Sequence, residues 1–102
     1  MTNPNQDSDL YLTYLHNGSV RHLPLELLKI IEVNAIALAQ LATPGQARTL
    51  KQHFGPKVWE AITYGKPVLA GYCMAYLVAN KRVPFRAMGL DPNSKAQTYA
   101  LI

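Results

Sequence analysis

Residues 68–79 read Val-Leu-Ala-Gly-Tyr-Cys-Met-Ala-Tyr-Leu-Val-Ala, a run of 12 positions without one charged side chain. In water such a segment folds only if most of its circumference is covered. It falls short of the ~20 apolar residues that span a bilayer. It therefore predicts a helix at the centre of a protein core. A second apolar stretch, roughly residues 25–42, is broken by Glu26, Lys29, Glu32, Asn34 and Gln40. Those side chains leave most of a helical surface to Leu25, Leu27, Leu28, Ile30, Ile31, Val33, Ile36, Leu38 and Leu41. That surface also calls for cover on more than one side. The chain has 102 residues, room for one domain. Part of the cover is accordingly expected from a second copy. This reading assigns Leu27, Ile30, Ile31, Leu38, Tyr11 and Tyr14 to a dimer or partner interface.

The segment Leu10–Leu23 carries the clearest local signal. Asn17-Gly18 is the favoured pair for a two-residue type I′ turn, whose central positions both need positive φ. Aromatic and branched residues flank it, as strands prefer. The turn fixes the register: His16 opposite Ser19, Tyr14 opposite Arg21, Leu12 opposite Leu23. A lone hairpin is marginal in water, so it must lie on the helices that follow.

Pro24 suits the start of the first helix, expected to run to about Ala42. Thr43-Pro44-Gly45-Gln46 has the form of a capping box opening a second helix to about His53. Gly55-Pro56 breaks the chain and begins a short third helix over 56–63, with Val58, Trp59 and Ile62 inward. Pro67 begins the fourth, to about Asn80. On it Gly71, Ala75 and Ala79 recur every fourth residue, a shallow strip for close approach of another helix. Ala35 and Ala39 on the first helix offer a match. The tail, with a turn at Asp91-Pro92-Asn93-Ser94, predicts two short strands forming a wing that carries Arg86 and Lys95. The expected fold is α+β and mainly helical: an N-terminal β-hairpin, about four helices and a C-terminal β-hairpin, winged-helix-like in outline. Residues 1–9 are expected to form a disordered tail, and residues 10–102 a single regulatory domain.

Charge is unevenly placed. The overall formal charge is +4. Residues 1–42 hold Arg21 and Lys29 against Asp7, Asp9, Glu26 and Glu32. Residues 43–102 hold Arg48, Lys51, Lys57, Lys66, Lys81, Arg82, Arg86 and Lys95 against Glu60 and Asp91. The basic half is the expected footprint of a polyanion-binding surface. Of its cations, Arg48, Lys51, Lys57, Lys81, Arg82, Arg86 and Lys95 are the candidate phosphate contacts. Against base readout, the 56–63 helix offers only Lys57, Glu60 and Thr63 as outward polar groups. The longer helix that follows is too apolar to lie in a DNA groove.

Chemistry finds little to work with. His16 and His22 fall on opposite faces of the predicted hairpin and cannot share one ion, so no metal is expected. Cys73 sits among Tyr72, Met74 and Leu77, where a thiol is buried and inert. Ser8, Ser19 and Ser94 lie in a tail and two turns, and the six acids are scattered. There is no Gly-rich phosphate loop. The chain is expected to need no cofactor and not to be an enzyme. The N-terminus carries no apolar signal region, and a single cysteine fits a reducing compartment. The expectation is a cytoplasmic protein without a membrane segment.

From Phe54 to Tyr99 the landmarks Phe54-Gly55, Trp59, Gly71, Val78, Val83-Pro84, Gly89, Asn93 and Tyr99 resemble a pattern in small uncharacterised prokaryotic and phage proteins. Such chains look like compact winged-helix-like modules. The resemblance implies a small bacterial or phage transcription-regulatory protein and lends no catalytic residue. The first functional expectation is a homodimer contacting DNA through the basic half. The alternative is a protein-binding regulator, an antiactivator or phage inhibitor, that blocks a partner such as a transcription factor through an apolar helical surface.

Overall fold

A type I′ turn at Asn17 (φ 49°) and Gly18 (φ 81°) joins the first two strands, as the Asn-Gly pair predicts. The computed structural model describes residues 10–63 and 65–102; the expected tail at 1–9 lies outside them. In order the elements are β1 (Tyr11–His16), β2 (Ser19–Pro24), α1 (Leu25–Ala39), β3 (Arg48–Thr49), α2 (Leu50–Phe54), α3 (Pro56–Thr63), α4 (Pro67–Ala79), β4 (Phe85–Leu90) and β5 (Gln97–Leu101). This is the α+β layout expected: an N-terminal hairpin, four helices and C-terminal antiparallel strands. β1 and β2 pair alone, while β3, β5 and β4 form an antiparallel sheet in that spatial order.

The β1–β2 register matches the sequence reading, with Leu12 opposite Leu23, Tyr14 opposite Arg21 and His16 opposite Ser19. Strand alternation turns Leu12, Tyr14, His16, Arg21 and Leu23 inward and leaves Tyr11, Thr13, Leu15, Val20 and His22 exposed. Leu23 is fully buried in the core.

α1 ends at Ala39 rather than Ala42. Its inward stripe is Leu27, Ile31 and Ala35, spaced i, i+4, i+8, all buried in the core shared with α4. This corrects the interface assigned to Leu27 and Ile31. An apolar pattern running round most of a helix does not say which stripe meets its own core. Ile30 and Leu38 are half-buried, and Leu38 packs against the same cluster. Leu25, Val33 and Ile36 remain exposed on α1, and Leu41 beyond its end.

The helix expected from Thr43 does not form. Pro44 bridges Leu101, the Gly45 N–H donates to the Leu101 carbonyl at 2.9 Å, and Arg48–Thr49 pairs with β5. The capping box sits six residues later. The Thr49 hydroxyl accepts from the Gln52 N–H at 3.2 Å, and Gln52 Oε1 accepts from the Thr49 N–H at 2.9 Å. α2 stops at Gly55, whose φ of 84° suits only glycine well. The His53 ring, meeting the Tyr99 carbonyl at 2.7 Å through Nε2 and lying edge-on to Phe85, ties α2 to the sheet. On α3, Trp59 and Ile62 are half-buried, whereas Val58 is exposed, contrary to expectation.

α4 buries Ala70, Cys73, Met74 and Leu77 against α1 and the sheet. It ends in a Schellman motif: the Arg82 N–H reaches the Leu77 carbonyl at 2.8 Å and the Lys81 N–H the Val78 carbonyl at 3.1 Å. The prediction of a helix covered all round is corrected in one respect, because the side carrying Val68 and Gly71 is open.

A candidate binding groove beside α4

That open side of α4 forms one wall of a groove of about 1010 Å³. Val68, Gly71, Ala75, Val78 and Ala79 line it from α4; Ala87 and Leu90 line it from β4. The β4–β5 connection adds Asp91, Asn93, Ser94 and Lys95, and the first turn of α2 adds Leu50, Lys51 and Gln52. Trp59 and the tip of the β1–β2 hairpin, His16 and Asn17, also border it. The lining is mostly apolar.

Gly71 is the residue to explain. A glycine inside a helix costs about 1 kcal/mol relative to alanine. One reason to keep it is a neighbour too close for a Cβ, such as the Ala35–Ala39 strip of α1. Among the described residues there is no such neighbour: a Cβ on Gly71 would meet nothing within 4 Å. The small-residue strip that sequence reading paired with α1 faces the groove instead.

The β4–β5 wall is held by its own chemistry. Asp91 Oδ2 accepts from the Ser94 N–H at 2.8 Å, the Ser94 hydroxyl at 3.0 Å and the Asn93 N–H at 3.2 Å. The Ser94 bonds foremost hold the Asp91 carboxyl below the usual carboxylate range. The Asp91 N–H donates to the Ala96 carbonyl and the Lys95 N–H to the Asp91 carbonyl, both at 2.8 Å. Lys95 takes a left-handed φ of 63° in this turn. The loop fixes where Lys95 is presented.

Where the hairpin meets α4, the Arg21 guanidinium lies 4.7 Å from the centre of the Tyr72 ring, with Arg21 Nε buried and without a hydrogen-bond partner among the described residues. His16 packs on Tyr72 at 5.1 Å between centroids, and Tyr14 meets Tyr76 edge-on at 5.5 Å. Tyr14, expected at an interface, is therefore half-covered by its own subunit. Tyr11 is exposed on the outer hairpin face. Tyr99 is buried, and its hydroxyl, raised from its usual 10.0 to about 12 by burial and then by the Tyr14 charge, stays protonated.

Of the seven candidate phosphate contacts, Lys51 and Lys95 come together at the groove. Arg82 instead pairs with Glu32 of α1, Nη2 to Oε2 at 2.9 Å, the one ion pair among the described residues. Lys81 and Arg82 follow α4, Arg86 lies exposed on β4, Lys57 on α3 and Arg48 on β3. His16 and His22 sit on opposite hairpin faces, as the register requires. Among the described residues no group of three His, Cys, Asp or Glu side chains could hold a metal ion. No helix among them is long and apolar enough to cross a membrane.

Sequence reading missed the groove as a unit. Its signals were the Gly71 strip and the uncharged α4, but the other wall comes from residues about twenty positions later in the chain. No protein-family model matches the chain, and no curated protein or solved structure does.

Proposed function

We propose that this protein is a non-enzymatic regulator of the antiactivator or inhibitor type, which takes a segment of a protein partner into the groove between α4 and the wing. The single observation that carries this reading is the open, uncharged face of α4, where Gly71 is left without a neighbour. A partner segment held there is withheld from its other contacts. The mostly apolar lining suits burial of apolar side chains, the main source of affinity in such a site.

A DNA duplex asks for something else: polar side chains reaching base edges and a run of phosphate contacts. α4 presents neither on its open face, and only two of the seven candidate cations border the groove. Titration with mixed-sequence duplex DNA at low salt tests the choice. No saturable binding is expected. Tight binding that weakens steeply as salt rises, the signature of several phosphates neutralised together, would overturn the proposal in favour of the DNA-contacting regulator.

The outer face of α1 supports a second element of the reading, self-association. Leu25, Val33, Ile36 and Leu41 lie uncovered there, with Val33 60% and Leu41 86% exposed.

A further inference from the structure

Resting on the groove reading above, we infer that the partner segment is an amphipathic helix with an apolar stripe against α4 and carboxylates on its flanks. Shape argues for a helix. Gly71, Ala75 and Ala79 stand one turn apart and give α4 a lane without projecting side chains, into which the ridge of a second helix fits at close range. Gly71 sharpens the point: its missing side chain serves no close contact among the described residues, yet weakens α4. The volume agrees. A helix about 10 Å across with a ~5.4 Å pitch fills about 1010 Å³ in some two turns. The length of α4, 13 residues, is enough to support that.

Charge argues for acid. The groove is bordered by Lys51 on α2 and Lys95 on the wing, against a single carboxylate, Asp91. Asp91 Oδ2 is already engaged by three donors of its own loop. Neither lysine has an ion-pair partner among the described residues. Lys95 is presented from a left-handed turn, a conformation that glycine would adopt with less strain. A helix lying along α4 would have its flanks toward α2 and the wing. Glutamates or aspartates there meet Lys51 and Lys95, while a basic helix is repelled.

A display library of 16-residue peptides decides it. The peptides share a helical stripe of Leu and Ala and are randomised among Glu, Lys, Gln and Ser on the remaining face. They are selected on the full-length protein and on two variants, Gly71→Leu, which fills the lane, and the double charge reversal Lys51→Glu/Lys95→Glu. Lys51 and Lys95 are exposed, Gly71 is half-buried with open space where a Cβ would stand, and circular dichroism checks that each variant keeps the parental helix content. Acid-rich peptides are expected to be enriched, with affinity lowered about tenfold or more by either variant, or ~1.4 kcal/mol. The charge reversal is expected to turn the preference toward lysine-rich peptides. Enrichment of neutral or basic peptides that Gly71→Leu still blocks would overturn the acidic-helix inference and leave the groove reading standing. So would binding indifferent to the charge reversal. Binding indifferent to Gly71→Leu, as when an extended peptide pairs with the free edge of β4, would overturn both. Failure to enrich any peptide would do the same, as would selective, lysine-dependent binding of duplex DNA.

Discussion

Lys81 occupies the position after the α4 cap at φ 56°, where the Schellman motif calls for a left-handed residue and usually has glycine. An L-residue with a Cβ is strained in that conformation by about 1 kcal/mol. Lys81 is exposed and makes no ion pair among the described residues. Lys81→Gly is therefore expected to raise stability by about 1 kcal/mol less the extra backbone freedom of the unfolded glycine. Denaturant titration reads this as a higher midpoint at an unchanged slope, and a lower midpoint would contradict it. Cys73 gives the complementary case of a residue whose burial sets its chemistry. Fully buried in α4, its thiol is pushed from its usual 9.0 up to about 11 by desolvation. A group whose folded value is raised contributes stability that is complete below the unfolded value and is lost as pH climbs through the folded one. Stability is thus expected to be insensitive to Cys73 up to about pH 9 and to fall from there toward pH 11, with Tyr99 extending the fall from about pH 10 to 12. Cys73→Ala removes the lower part of that decline. At pH 8 a thiol reagent is expected to label Cys73 only as fast as the protein unfolds. Labelling at the rate of a free cysteine would place the thiol at the surface.

Among the elements, the misplaced helix start carries the clearest lesson. Thr43-Pro-Gly-Gln46 and Thr49-Leu-Lys-Gln52 both satisfy the Thr-x-x-Gln pattern, and local chemistry favours the first because proline follows the cap. The outcome turns on residues about 50 positions away, since β5 draws Arg48 and Thr49 into the sheet and the Leu101 carbonyl accepts from Gly45. Long-range pairing of this kind has no local signature. The hairpin, by contrast, was legible down to its register, because Asn17-Gly18 fixes the turn and parity fixes the rest. α3 and α4 were legible from Pro56, Gly65 and Pro67, and α1 from an apolar-rich stretch without glycine or proline. The faces of α1 and α4 were not. An apolar residue on a helix apolar over most of its surface carries no label saying core or surface, which is how an interface was expected at Leu27 and Ile31, which are buried, and not at Val33 and Ile36, which are exposed. The capping distinction has a direct test. Thr49→Ala removes a side-chain cap and is expected to cost about 1 kcal/mol, whereas Thr43→Ala removes none and is expected to leave the unfolding midpoint almost unchanged. Equal losses would mean that the 43–46 box forms in solution.

At the scale of the whole molecule, the question is what covers the apolar surface that one copy leaves in water. The groove and the outer face of α1 are separate: the groove lining draws on β3, α2, α3, α4, the wing and the hairpin tip, and among the described residues contains none of α1. A partner helix in the groove therefore leaves Val33, Ile36 and Leu41 as exposed as before. Isolated apolar side chains on a surface are ordinary, but Val33 and Ile36 lie three positions apart on one helical face, and Leu41 follows just beyond its end. The outer face of the hairpin adds Leu15 and Val20, paired across the strands. Two copies meeting through α1 would cover the helical set and leave both grooves accessible, giving an assembly able to hold two partner segments. Light scattering at high protein concentration is expected to report roughly twice the chain mass of 11.3 kDa. Val33→Asp/Ile36→Asp is expected to return it to the single-chain value without loss of helix, because both side chains already face water. Leu27→Asp is expected to unfold the chain instead, since a carboxylate in the α1–α4 core finds no partner there. A native protein at 11.3 kDa at every concentration would assign the whole of α1 to the fold and none of it to assembly.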